Sequence, residues 1–215
     1  MNRESLLQNA AYVIPLVLSL SVHEWAHAWS AFRLGDDTAA RLGRLTLNPF
    51  MHIDPIGSVI LPLLGIPFGW ARPVPVNPAR FDPKVKPRTG MMITASAGPI
   101  SNFVLALACV VLTGVMRRFS LEHDAVEQLL LMGFRLNIGL AVFNLLPIPP
   151  LDGSRVAEGL MPLTLRPAWE RFTRFGPLLL LAILVFPSPL QLVLWWPMGQ
   201  AYRLAHGLLN VIAGS

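Results

Sequence analysis

His23-Glu24-Trp25-Ala26-His27 closes an uncharged run that starts at Ala10 (AAYVIPLVLSLSV, residues 10–22), and these two stretches together decide the fold. The run predicts a helix. Residues four apart on a helix share a face, so His23 and His27 can hold one metal ion between them. Glu24 stands beside the first histidine, where its carboxylate can reach a water on that metal without being a ligand. H-E-x-x-H is the zinc-hydrolase pattern, here set at the polar end of a segment that reads as lipid-embedded.

The rest of the chain supports that setting. Of 215 residues, 53% are hydrophobic and only 13% are charged, against about 25% charged in an ordinary soluble domain. Mean hydropathy is +0.54. No charge occurs in residues 89–116, 136–151 or 175–202, and a spanning helix needs about 20 apolar residues. The net charge of +5 and pI near 10.3 fit basic cytoplasmic loops on a membrane protein, and no nucleic-acid partner is expected. The single cysteine, Cys109, excludes an intrachain disulfide and reads as a small buried hydrophobe. Internal repeats are absent. The expected organisation is one membrane-embedded domain over residues 1–215, with a catalytic core at about 8–160 and a C-terminal helical region at about 165–215.

Patterning predicts a first helix over residues 6–34, ended by Gly35. Residues 43–57 are apolar pieces cut by Gly, Pro and Asn and read as extended loop or brief strands. Residues 58–66 are apolar but short and broken. A proline-rich basic loop follows, then helices over residues 89–116 and 125–146, the latter running into Pro147-Ile148-Pro149-Pro150-Leu151-Asp152-Gly153. After a polar connector, Pro187-Ser188-Pro189 either divides or kinks the C-terminal apolar region. The expectation is an all-α polytopic membrane protein. It has about five or six apolar helical segments, a re-entrant or short second segment and a few short loop strands.

Charge placement selects a topology. If residues 58–66 only dip into the bilayer, the twelve Lys and Arg residues of segments 33–88 and 155–174 are cytoplasmic. Arg3, Arg117, Arg118 and Arg135 then fall on the other side, which satisfies the positive-inside rule. The same arrangement brings the end of the first helix and the Asp152 turn to one membrane face.

A catalytic zinc takes three protein ligands and keeps a position open. Asp152 is the strongest third candidate, because an ionisable group at the end of an apolar helix, in unwound backbone, is costly unless it serves a site. Asn102 reads as interhelical hydrogen-bond glue, and Ala97, Gly98 and Ser101 as small residues that permit close helix contact. Asn144 fits either glue or function. His52, beside Asp54 in a loop near the same face, fits either a contact to substrate or site residues or a plain loop histidine.

The chain resembles the site-2 protease family of intramembrane zinc metallopeptidases, peptidase family M50. The resemblance rests on the H-E-x-x-H segment, on Ala97-Gly98-Pro99-Ile100-Ser101-Asn102, and on Asn144 to Gly153 (NLLPIPPLDG). It implies that His23, His27 and Asp152 bind zinc, one ion per chain, and that Glu24 is the general base. It also implies that Asn144 helps position substrate or stabilise the oxyanion. The substrate would be a transmembrane segment of another protein in the lipid bilayer of the cell, cut from the cytoplasmic side. The chain looks like the short form, lacking PDZ or CBS modules. The alternative is a membrane zinc-binding protein without peptidase activity, a transporter or a regulatory pseudoenzyme. Oligomeric state is left open.

Overall fold

A computed structural model describes residues 2–66, 69–121 and 123–214, and every regular element among them is helical. The α-helices are α1 (Arg3–Arg33), α2 (Thr38–Arg41), α3 (Leu61–Leu63), α4 (Pro87–Arg118), α5 (Asp124–Asn144), α6 (Asp152–Leu160), α7 (Arg166–Val185) and α8 (Pro187–Ala213). Among the described residues, α4 and α5 are long and apolar enough to cross a membrane. The C-terminal region is divided at Phe186, between α7 and α8.

Local chemistry sets the ends. Pro87 opens α4 at a position where its missing N–H costs nothing. Arg117 and Arg118 close it where cations favour the helix dipole, and Asp124 and Glu127 open α5 at the complementary end. Arg117 pairs with Glu127 across the turn between them. Gly35, with φ +104°, turns the chain after α1 where the sequence places the stop.

The bundle packs α4 between α1 and α5, with α8 laid across α4. Ala106 and Val110 of α4, Phe134 and Ile138 of α5 and Leu209 of α8 form one buried cluster. Leu16 and Leu20 of α1 form another with Leu136 and Ala71. Arg135 is the twelfth residue of the 21-residue α5, so it sits mid-helix and not at an outer end.

The short strands expected in residues 43–57 do not form. Among the described residues the only β pairing is an isolated antiparallel bridge between Ile53 and Ala71. Pro49–Met51 is a 3-10 turn, and Pro55–Ile60 is a π-helical turn that runs into α3. Proline fixes φ near the helical value and suits a first turn. Asn48 accepts from the Phe50 N–H, and Asp54 from the N–H groups of Ile56 and Gly57. Capping therefore outcompetes a ladder at both sites.

Ile53 and Ala71 meet side by side through their bridge, and residues 55–63 lie between them in sequence. The far end of this 53–71 segment meets the start of α1, where Asn9 Nδ2 donates to the Leu63 carbonyl at 3.1 Å. Its near end lies by Glu24, which is bonded to Val74. Fifteen residues of α1 separate Asn9 from Glu24, about 22 Å at 1.5 Å per residue.

Candidate metal centre

The H-E-x-x-H spacing lies inside α1, so both imidazoles emerge on one side, edge to face with centroids 4.6 Å apart. Asp152, 125 residues after His27, is the first residue of α6. Its carboxylate is delivered by a tight turn. A Cβ on Gly153 would lie 2.1 Å from the Leu145 carbonyl oxygen, so only glycine lets α6 start that close to the end of α5.

Three atoms converge. His23 Nε2 and His27 Nε2 are 3.0 Å apart, and Asp152 Oδ2 lies 3.1 Å from the first and 3.3 Å from the second. A tetrahedral ion with bonds of about 2.0–2.1 Å separates its ligand atoms by about 3.3–3.4 Å. The observed triangle has nearly that size.

Tautomers complete the fit. His23 Nδ1 faces Asn102 Oδ1 at 2.6 Å and His27 Nδ1 faces the Thr94 carbonyl at 2.7 Å. Both partners are acceptors, so both Nδ1 atoms carry the proton and both Nε2 atoms present bare lone pairs. Asp152 Oδ2 is buried with no hydrogen bond of good geometry. Three acceptors crowded together without a donor call for a cation, and imidazole with carboxylate suits zinc.

The supporting residues come from α4 and α5. Asn102 is fully buried and donates from Nδ2 to Asn137 Oδ1 at 2.7 Å, while Asn137 donates to Ser19 Oγ at 2.9 Å. Asn102 is therefore the expected interhelical glue, and it also fixes the orientation of His23. Partners of this kind tune a metal site through its ligands. Gly98 forms the floor. A Cβ there would lie 2.4 Å from His27 Nε2 and 2.6 Å from His23 Nε2, so the close contact it permits is with the imidazoles themselves.

Glu24 is buried beside this triangle, and its Oε2 accepts from the Val74 N–H at 2.8 Å. The loop carrying Val74 is tied down along its length. Arg72 N donates to the His52 carbonyl at 2.8 Å and Arg44 Nη2 to the Arg72 carbonyl at 2.5 Å. Asn77 N donates to the fully buried Asp36 at 2.6 Å. Burial pushes the Arg44 guanidinium below its ordinary range, and Arg72 adds to this while Glu24 opposes it. Arg44 and Asp36 carried no sequence signal, since isolated loop charges ordinarily face water.

His52 does not join the metal triangle. It is buried, with Nε2 against the Thr46 carbonyl at 2.8 Å, and it stitches this loop layer together. Asn144 lines the same cavity as the triangle and Glu24, a space of about 1320 Å³. Its Nδ2 donates one proton to the Leu140 carbonyl at 3.0 Å. The second amide proton is left for another acceptor.

Comparison with known proteins gives this arrangement its family. A Bacillus subtilis protein named "Putative zinc metalloprotease YwhC" is 41% identical over 196 residues, covering 89% of this chain and 86% of that one. The chain belongs to peptidase family M50. The sequence model of that family, Peptidase family M50, matches residues 114–187 of this M50 chain, a span that holds Asn144 and Asp152. Two Rip2 proteins named in the same words also match it. The one from Mycolicibacterium smegmatis is 35% identical over 187 residues, 84% of this chain and 70% of its own. The one from Mycobacterium tuberculosis H37Rv is 31% identical over 177 residues, 80% of this chain and 65% of its own. No solved structure matches significantly. As an M50 member, the chain is a zinc metalloprotease of the site-2 protease family, which is membrane-embedded.

Proposed function

We propose that this M50 chain hydrolyses peptide bonds in or near transmembrane segments of other membrane proteins. It would use one zinc ion held by His23, His27 and Asp152, with Glu24 as general base. One observation carries the reading. Three donor-free ligand atoms stand 3.0–3.3 Å apart beside a buried carboxylate, inside a cavity walled by helices long enough to cross a bilayer.

Zinc in that triangle supplies a Lewis acid that polarises a carbonyl and acidifies water. The remaining steps belong to side chains. Glu24 takes the proton of the attacking water and passes it to the leaving amine, the two-way use expected of a carboxylate general base. The Val74 N–H holds its Oε2 and sets the direction of the other oxygen. Asn144, with one amide proton already committed to Leu140, offers the other to the developing oxyanion. Asn102 and the Thr94 carbonyl keep the imidazole lone pairs aimed at the ion.

The membrane setting follows from the same parts. The whole chain acts as one membrane-embedded domain of a multi-pass protein of the cell membrane. About five or six apolar segments lie in the bilayer, and the 53–71 segment enters and leaves on one side, in keeping with its paired ends at Ile53 and Ala71. The positive-inside rule then puts the metal centre toward the cytoplasm.

The test compares wild type with Glu24→Gln, purified in detergent and reconstituted with zinc and model transmembrane peptides. Equal zinc content with cleavage by wild type alone is the expected result. Equal turnover by the variant removes Glu24 from the mechanism. Zinc binding with no cleavage by either protein favours the non-peptidase alternative.

A further inference from the structure

Arg135 is a basic residue placed in the middle of the apolar helix α5. It is exposed, lies about 16 Å along α5 from Asp124 at 1.5 Å per residue, and lines the cavity that holds Glu24 and the metal triangle. Among the described residues no carboxylate pairs with it, the ion pairs of α4 and α5 being those of Arg117 and Glu127. A cation at that depth is costly to keep and by default serves a ligand or a pathway.

Its place on the helix says what kind of ligand. Met132, Arg135, Leu136, Gly139, Leu140 and Phe143 all line the cavity, the three-and-four spacing of one helical stripe. A Cβ on Gly139, one turn from Arg135, would meet nothing within 4 Å, so the stripe is an open slot. The slot runs from Arg135 to Asn144, nine residues or about 13.5 Å of helix. An extended chain covers that in about four residues. Apart from Arg135 and Tyr12, the residues lining its far end are apolar.

We propose that Arg135 is a specificity-determining residue that receives a carboxylate side chain carried by the substrate's transmembrane segment. The carboxylate lies about four residues from the cleaved bond, on the side remote from Asp152. A guanidinium offers a planar fork to a carboxylate. An acidic residue that lipid disfavours then finds its partner only in this slot, which discriminates against wholly apolar helices. The inference rests on the peptidase reading above.

The test uses full-length protein in vesicles with synthetic transmembrane peptides of Leu and Ala, each with a central Asn-Pro-Gly to unwind it. A single Glu, or its isostere Gln, is walked through the sequence. The expected result is one optimal Glu position, with KM about tenfold below that of the Gln peptide at unchanged kcat. Arg135→Gln erases that difference, and Arg135→Glu transfers the preference to a Lys peptide. Equal handling of Glu and Gln peptides by wild type overturns the proposal. So does an equal loss on every peptide in Arg135→Gln, which marks a structural role. A preference that follows the anionic lipid content of the vesicles and not the peptide also overturns it, assigning Arg135 to lipid phosphate. Peptide binding to zinc-loaded Glu24→Gln reads the same preference without cleavage. Failure of cleavage thus counts against the peptidase reading, and loss of the binding preference against this one.

Discussion

Replacing Gly98 by alanine adds a single methyl group at the base of the candidate metal centre. Its Cβ would sit 2.4 Å from His27 Nε2 and 2.6 Å from His23 Nε2, where ordinary contact begins near 3.4 Å. The shortfall is about 1 Å, whereas metal–ligand bonds tolerate about 0.2 Å. Neither ring can retreat freely, because Asn102 and the Thr94 carbonyl hold the far nitrogens at 2.6 and 2.7 Å. Each such bond lost costs about 0.5–1.5 kcal/mol. Overpacking by one methyl costs the fold only about 1–3 kcal/mol, so the variant is expected to remain helical. Zinc affinity should fall at least about 100-fold, equivalent to about 2.7 kcal/mol, and proteolysis with it. Chelator competition on purified protein measures the affinity, and circular dichroism checks the fold. Gly139→Ala, whose added Cβ meets nothing within 4 Å, is the matched control and should bind zinc like wild type. A helical Gly98→Ala protein that binds zinc within about threefold of wild type refutes the reasoning.

Three further substitutions probe the surroundings. Asn102→Ala strips the partner from His23 Nδ1 and from Asn137 Oδ1. Zinc affinity should drop about 10–100-fold, and an unchanged affinity in the same competition assay would count against the orienting role. Gly153→Ala drives a Cβ to 2.1 Å from a backbone oxygen that no side-chain rotation can relieve. Its zinc content should match that of Asp152→Ala, and retention of metal would show the Asp152 turn to be adaptable. Val74→Pro removes the N–H that Glu24 accepts, a charge-assisted bond of about 1.5–3 kcal/mol. Zinc stoichiometry should hold while kcat falls about tenfold or more. An unchanged kcat would mean that Glu24 needs no such tether.

What could be read from the chain alone is what depends on neighbours in sequence. The i, i+4 spacing of His23 and His27 needs only a helix to bring two imidazoles to one face. The long apolar runs need only their length to become α4 and α5. Gly35 and Pro187-Ser188-Pro189 mark breaks because their backbone preferences act locally. The same local logic was less decisive for residues 43–57, where apolar pieces cut by Gly, Pro and Asn suggested extended loop or brief strands. There Asn48 and Asp54 capped proline-led turns, a competition between two local signals that periodicity does not weigh.

The tertiary structure alone decided whatever depends on helices crossing. Asp152 was a candidate from its costly position, but only the Gly153 contact with α5 carries its oxygen to 3.1 Å from His23. Asn102 lies 79 residues from the histidine it orients. Gly98 looked like a small residue for helix packing, and nothing in its neighbours says that imidazole nitrogens pack there. Asp36 and Arg44 became buried anchors because the 72–82 loop folded over them. Sequence spacing fixes direction along one helix. Distances between helices are set by side-chain volumes at crossings scattered through the chain, and those volumes act only once the bundle has closed.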